Sequence, residues 1–501
     1  MVAGTTNHIQ KTKIGLVWSF LNQFGTQIIT LGISILLARL IPPSEFGLLG
    51  MVTVFTAFAG IFINFGFSEV LIQKDAITKE DLDTVFFCNI TISVVLYILF
   101  FSIAPLLAVF YSEPRLVLIT RVVAILFLIA PLSSVKPALV SKSMDFKLST
   151  KISLTSLISG AIVAVVMALY GFGVWSIVAQ SLVSTLVSAI YYKVISDYQP
   201  VLRFHKAAFK SMIGMGSSIA GNTIVNYWTR NADNLLVGKF LGETALGIYN
   251  RAYSLMLLPL TNISRVIINV MLPSFSMIKH NKAEVKRIYL RITEMVAAIT
   301  FPLMFGLSAV SGIFVLALFG NKWAGMIPIL SILAIIGAIQ SILTFNGSVY
   351  ISQGKANIAF RVTLIFNIVF LIGIVIGLHY GGLMGIAYSY FITTIMGAVP
   401  NFYFAARLIN VSVKDMYVKL IRIFIASVIM WLIVALIAHT DLIRNLHPMV
   451  ALLLCVGTGI AAYAALAYFF KIKIYWHLTE LVMRKVKSLS KTKLAYTSSK
   501  Y

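Results

Sequence analysis

The sequence is poor in charge. Only 11% of its 501 residues are Asp, Glu, Lys or Arg, where a soluble domain has about 25%. Acid is scarcer still, with 16 Asp and Glu against 40 Lys and Arg. With 59% hydrophobic residues, the composition excludes a string of soluble domains, a disordered chain and a collagen-like fibre. There are two cysteines, Cys88 and Cys455, both inside apolar segments, which excludes a disulfide framework and a cysteine-based zinc site. The seven histidines are scattered and form no HExxH. A nucleophile elbow, a phosphate-binding glycine loop and paired acids on an outer loop are all missing, so no catalytic constellation is visible.

Long apolar runs are what the sequence has. A membrane-spanning helix needs about 20 apolar residues, so an apolar content of 59% over 501 residues allows on the order of fourteen spans. They are expected at 14–40, 46–72, 85–111, 116–139, 152–170, 173–194, 211–238, 244–276, 288–319, 325–351, 358–379, 382–406, 417–439 and 447–470. The breaks carry turn chemistry: Pro42-Pro43-Ser44, Glu113-Pro114, Tyr170-Gly171-Phe172-Gly173, Gly320-Asn321 and Gly381-Gly382. Lipid admits no open strand edges, so the spans are read as helices. The first apolar stretch lacks a small-residue cleavage pattern and is read as a retained span.

The net charge of +24 would suggest nucleic acid in a soluble protein. Here the basic residues sort by side. With the N-terminus inside, most of the 40 Lys and Arg fall in alternate loops, around Lys13, Lys74, Lys142, Lys206, Lys282, Lys355 and Lys414, and in the tail after 470. That pattern puts both termini in the cytoplasm and removes the nucleic-acid reading. The basic tail is either simply solvated or in contact with anionic lipid headgroups.

A weak internal repeat runs at an offset of about 200. Leu36-Leu37-Ala38-Arg39-Leu40 and Phe46-Gly47 align with Leu236-Val237-Gly238-Lys239-Phe240 and Leu246-Gly247, and Asn22 aligns with Asn222. Tyr170-Gly171-Phe172-Gly173 aligns with Tyr380-Gly381-Gly382-Leu383. Six spans per half make the halves parallel repeats. The expected organisation is an N-terminal lobe at 1–200, a C-terminal lobe at 201–410, two further spans at 411–470 and a basic cytoplasmic tail at 471–501.

Ionisable residues inside spans are costly and face a protein interior or a cavity by default. On the seventh span Asn222, Asn226, Arg230 and Asp233 fall within an arc of about 80°, and Arg230 can pair with Asp233 at i,i+3. On the eighth, Arg251, Ser254, Asn262, Arg265 and Asn269 fall within a similar arc, with Arg251 and Arg265 about 21 Å apart along the axis. The first span is softer, with Asn22 and Gln23 on a stripe of Ser, Thr and Gln. The same amides also serve as helix–helix glue, and the Arg230–Asp233 pair reads equally as a static structural contact. Pro131, Pro137, Pro259 and Pro302 interrupt spans and mark kinks.

Arg230-Asn231-Ala232-Asp233-Asn234-Leu235-Leu236-Val237-Gly238, followed by Ala245-Leu246-Gly247-Ile248-Tyr249-Asn250-Arg251-Ala252-Tyr253 and Leu272-Pro273-Ser274-Phe275, resembles the polysaccharide transporter family of the MATE/MOP flippase superfamily. Gly66-Phe67-Ser68-Glu69-Val70-Leu71-Ile72-Gln73 and Tyr170-Gly171-Phe172-Gly173-Val174-Trp175 resemble its Wzx-type branch, which exports lipopolysaccharide units and colanic acid. The resemblance implies an all-α membrane fold of two six-helix lobes in a V, plus two helices. It implies alternating access coupled to H+ or Na+, with no other cofactor and no metal. The implied substrate is an undecaprenyl-diphosphate oligosaccharide, with membrane lipid, a polysaccharide polymerase and assembly proteins as partners. It places the protein in a bacterial inner membrane. Arg230, Arg251 and Arg265 are then the candidate cationic binding residues, with Asn22, Gln23, Asn222, Asn226, Asn262 and Asn269 for sugar hydroxyls and Asp233 for cation coupling. A drug–cation antiporter on the same fold would favour acidic cavity residues, where these stripes hold three Arg and one Asp. A membrane polymerase or glycosyltransferase would need a larger extramembrane segment than the short loops supply.

Overall fold

A computed structural model describes the backbone of residues 2–195, 198–199 and 201–472, with side chains throughout except 2–17, 19, 20, 266, 269, 270, 356 and 413. The described residues are helical and contain no strand. The basic tail lies outside them from residue 473 onward. Eleven stretches among the described residues are long and apolar enough to cross a membrane. One of them, Asn357–Leu408, is divided by a break at Gly382. The chain is an all-α, multi-pass membrane protein. Large apolar side chains stand exposed along its helices, among them Val95, Ile98, Leu106, Val109 and Leu453. Such surface is intolerable in water and ordinary against lipid.

Two compact units divide at Asn250 and Arg251. The first holds α1 (Val2–Leu40), α2 (Pro43–Asn64), α3 (Phe67–Gln73), α4 (Lys79–Tyr111), α5 (Leu116–Ile129), α6 (Lys136–Lys142), α7 (Phe146–Leu169), α8 (Val174–Ile195) and most of α9 (Lys206–Pro259). The breaks follow the turn chemistry. Pro42 and Pro43 separate α1 from α2, and Gly171 and Gly173 both adopt positive φ between α7 and α8. Two expected single spans are each two pieces. The stretch 46–72 breaks at Phe65 and Gly66, both at positive φ, and 116–139 breaks into a short tight turn at Ala130–Ser133 around Pro131. Thr78 and Asp81 cap α4 reciprocally, each side chain accepting from the other's backbone N–H.

The segment after α8 is fastened to the start of α4. The Tyr198 hydroxyl donates to buried Asp83 at 2.7 Å, Val201 N donates to the same carboxylate at 3.3 Å, and His205 N donates to Thr84 Oγ1 at 3.1 Å. Burial, and then the Asp83 carboxylate, push the Tyr198 phenol well above its ordinary range, so it stays a donor. Lys74 pairs with Asp81 at 2.6 Å at the same end.

In α9 the helix direction changes at Gly242, whose φ of 82° and ψ of −177° only glycine adopts readily. The arms are 206–241 and 243–259. The second arm meets α2 at a point that the 200-residue repeat makes symmetric. A Cβ on Gly47 would lie 1.6 Å from the Glu243 carbonyl oxygen, and one on Gly247 would lie 1.9 Å from that of Pro43. Each glycine therefore faces the residue four before its own counterpart, and the two backbones touch.

The second unit continues through a wide turn at Leu260–Ser264 into α10 (Arg265–Met277), then α11 (Lys282–Ala309), α12 (Ser311–Leu318), α13 (Met326–Leu343), α14 (Asn346–Ser352), α15 (Ala356–Leu408), α16 (Val413–Ala438), α17 (Asp441–Arg444) and α18 (Pro448–Phe469). Here too, 288–319 and 325–351 are each two helices. Its core packs Tyr289, Val296 and Met304 of α11 with Phe345, Val349, Ile423 and Met430. A buried polar chain crosses it, with the Tyr289 hydroxyl donating to Asn346 at 2.6 Å and the Asn346 amide donating to Asn401 at 2.8 Å.

Candidate functional site

The first arm of α9 is helical but absent from the eleven apolar spans, because polar residues recur along it. Asn222, Asn226 and Arg230 occupy i, i+4 and i+8 and all three are exposed. Asn222 Nδ2 donates to Ser218 O at 3.2 Å and Asn226 Nδ2 to Asn222 O at 2.8 Å. The amides are thus anchored by their N–H groups, and each Oδ1 remains to accept from a ligand. Arg230 joins no ion pair among the described residues. This is one continuous row of acceptors ending in a cation.

Asp233 does not complete that row, and the expected pair with Arg230 is not formed. Asp233 is 1% exposed. Its Oδ2 accepts from the Tyr249 hydroxyl at 2.8 Å and its Oδ1 from Asn234 N at 2.8 Å. Three residues of helix turn Asp233 roughly 60° away from Arg230, inward against the second arm, where the Gly242 break brings Tyr249 opposite it. Arg230 points outward. Beside the acid, Asn234 Oδ1 is buried without a hydrogen-bond partner among the described residues.

The eighth-span stripe also changes. Arg251 is half-buried in the second arm, and Arg265 is exposed as the first residue of α10. Between them Pro259 is followed by the Leu260–Ser264 turn, which has i→i+5 bonding. Pro259 supplies no N–H, and side chains hold the loosened backbone: Thr261 Oγ1 donates to Leu257 O at 3.0 Å and Asn262 Nδ2 to Leu258 O at 2.9 Å. An inserted residue swings everything beyond it by about 100°, so Arg251 and Arg265 do not share the single straight face that uninterrupted α-periodicity gives. Asn262 lies within this irregular turn and Arg265 directly follows it. The Asn269 side chain lies outside the described residues. On α1, Gln23 is exposed and Asn22 is half-buried, its Oδ1 lacking a partner among the described residues.

A family profile described as "Polysaccharide biosynthesis protein" matches residues 36–328. The chain belongs to that family. Among relatives, it is 29% identical over 476 residues to the teichuronic acid biosynthesis protein TuaB of Bacillus subtilis (strain 168), covering 94% of this chain and 97% of TuaB. It is 25% identical over 404 residues to the lipopolysaccharide biosynthesis protein WzxC of Escherichia coli (strain K12), covering 79% and 80%. Among solved structures, the lipid II flippase MurJ in an inward closed conformation matches with a TM-score of 0.72 at 14% identity, over 92% of this chain and all of MurJ. An inward-facing multidrug resistance MATE family transporter of the MOP superfamily matches at 0.58 and 15% identity, over 77% and 96%. The chain therefore has the fold that MurJ shares with the MATE transporter, in keeping with the MATE/MOP-like fold that the sequence resemblance implied.

Two functional candidates escaped the sequence reading. Tyr249, the partner of Asp233, carries no periodic signal, because the two meet only when the helix doubles back at Gly242. Arg121 is a basic residue inside the apolar run of α5, and such placement was its signal.

Proposed function

We propose that this protein is a flippase that moves an undecaprenyl-diphosphate-linked oligosaccharide across the cytoplasmic membrane for surface polysaccharide synthesis. The observation that carries the reading is Arg265: exposed, in no ion pair among the described residues, and set at an irregular turn within an otherwise apolar helical stretch. The likeness to TuaB and WzxC over most of each chain supports it, as does a succinoglycan biosynthesis transport protein, ExoT of Rhizobium meliloti (strain 1021), at 27% identity over 321 residues. A sugar–diphosphate head is anionic and hydroxyl-rich. Guanidinium forks suit its phosphates, and the outward amide oxygens of Asn222 and Asn226 suit its hydroxyls. Arg230 in the first unit and Arg251 in the second are further candidate cations for the same head group.

In this reading both termini are cytoplasmic, twelve of fourteen spans fall into lobes at 1–200 and 201–410 with two more at 411–470, and polymerase and assembly proteins receive the product. Asp233 is the coupling acid for H+ or Na+. Its neutral phenol partner and its lack of an ion pair among the described residues support that role.

The test is Arg265→Ala, expected to insert normally and to lower export at least tenfold, since a charge-assisted hydrogen bond is worth about 1.5–3 kcal/mol. Arg265→Lys, a point charge without the fork, should be partly active. The readout is surface polysaccharide with lipid-linked oligosaccharide accumulating on the cytoplasmic face. Normal export by a stably expressed Arg265→Ala protein refutes the binding role.

A further inference from the structure

Proline at position 105 lies inside α4. It has no N–H to give to the carbonyl four residues earlier, so Phe101 O loses its helical donor. Within a membrane that orphan needs a partner from elsewhere. Arg121 of the adjacent α5 provides it: its Nε donates to Phe101 O at 3.4 Å, and its guanidinium carbon stands 4.4 Å from the centroid of the Phe101 ring. The proline, the carbonyl, the ring and the arginine form one assembly built by two neighbouring helices of the first unit.

That assembly accounts for the position of Arg121 but not for its charge. One N–H is engaged, while a guanidinium has five. Among the described residues Arg121 joins no ion pair. Its surroundings are apolar and outward-facing. Leu118 and Ile125, on its own face of α5, are 58% and 37% exposed, and Ile98 and Phe101 across from it are 58% and 43% exposed. A half-buried cation amid lipid-contacting side chains is costly without an anion. Its depth says where the anion comes from. Arg121 follows the first residue of α5 by about 8 Å of helix, shallow enough for local thinning of the bilayer to bring a headgroup phosphate to the guanidinium. The nearby carboxylates, Glu113 and Glu45, are already held by Arg115 at 2.8 and 3.3 Å.

We propose that Arg121, oriented by the carbonyl that Pro105 leaves open and by the Phe101 ring, binds the phosphate of a membrane lipid. Two lipids present that chemistry at this depth: an anionic phospholipid, or the diphosphate of a polyprenyl-linked glycan. Only the second rests on the flippase reading.

The experiment uses the purified full chain in detergent, with native mass spectrometry counting bound lipid during titration with phosphatidylglycerol and, separately, undecaprenyl diphosphate. Arg121→Gln keeps an N–H for Phe101 O and removes the charge. It should weaken binding of one lipid molecule about tenfold. Pro105→Ala restores the backbone donor, releases Arg121 from its orientation and should weaken the same binding less. Loss confined to phosphatidylglycerol assigns the site to bulk lipid, and loss confined to undecaprenyl diphosphate assigns it to a carrier lipid. Unchanged titrations of both lipids overturn the proposal. Should Arg121→Gln fail to accumulate, a photocrosslinking residue at Leu118 in the otherwise native chain decides. Crosslinking to phospholipid, or its competition by undecaprenyl diphosphate, supports the site, and neither overturns it. Because the readout is lipid binding, a negative result leaves the export test of Arg265 standing.

Discussion

The crossing of α2 with the second arm of α9 is the most sharply testable contact in the first unit. Gly47→Ala places a methyl 1.6 Å from a backbone oxygen, and Gly247→Ala places one 1.9 Å from another. Neither obstacle is a side chain that can rotate away. Restoring an ordinary separation of about 3.5 Å requires the helices to part by roughly 2 Å, which forfeits dispersion contacts along the whole crossing. Each substitution should cost about 3 kcal/mol, the upper end for overpacking. The costs should not add. Once one methyl has opened the crossing, the second finds space, so the double variant should be more stable than the sum by at least 1 kcal/mol. Gly50→Ala meets only the ends of Asn250 and Leu246 side chains, at 2.8 and 3.2 Å, and should cost less. Gly32→Ala meets nothing within 4 Å and should be neutral, or stabilising by up to about 1 kcal/mol. The assay is the melting midpoint of purified protein in one detergent, read beside export. If Gly47→Ala and Gly247→Ala melt with Gly32→Ala, the backbones do not touch and the symmetric crossing is wrong.

Tyr249→Phe removes the donor to a buried carboxylate and should cost about 1–3 kcal/mol. Asp233→Asn, which is neutral in either partner's presence, should be milder in stability yet change the gradient dependence of export; an Asn variant with normal gradient dependence removes Asp233 from coupling. Tyr198→Phe should leave export competence while speeding proteolysis between residues 198 and 205, since the segment loses its anchor on Asp83; equal cleavage rates would show the anchor to be idle. The Arg115 hydrogen bond holds the Glu113 carboxyl below its ordinary range. A depressed carboxyl stabilises above its unfolded value of about 4.3 and loses that contribution as pH falls through the folded one. Melting midpoints should therefore dip at acid pH in the native protein, and Arg115→Met should reduce the dip.

Much of this was legible because lipid simplifies the code. The breaks at Pro42-Pro43, Tyr170-Gly171-Phe172-Gly173 and Gly381-Gly382 are written in residues with few conformational options, and the structure turns at each. Side-chain phase was legible only along unbroken helix. Asn222, Asn226 and Arg230 keep their row, whereas Arg251 and Arg265 lose theirs at a turn that α-periodicity does not contain. Asp233 was read against its sequence neighbour Arg230, since pairing at i,i+3 can be counted, while Tyr249 reaches it through a reversal of direction. The anchoring of 198–205 on Asp83 and Thr84 joins residues more than a hundred positions apart, and no local pattern encodes it.

The polarity of the first arm of α9 bears on how the protein is made. A helix carrying Asn222, Asn226, Arg230 and Asp233 has little reason to leave the translocation machinery for lipid by itself. Its binding surface already waits in earlier helices. The Tyr227 hydroxyl donates to Val54 O at 2.5 Å, Trp228 packs on Phe58 with ring centroids 5.1 Å apart, and Lys239 donates to the Phe110 carbonyl. Val54 and Phe58 belong to α2 and Phe110 to α4, both synthesised well before residue 206. Insertion of this arm is then an act of docking onto finished protein rather than of partitioning into oil. A defect in α2 would surface first as failure to integrate a helix translated some 150 residues later.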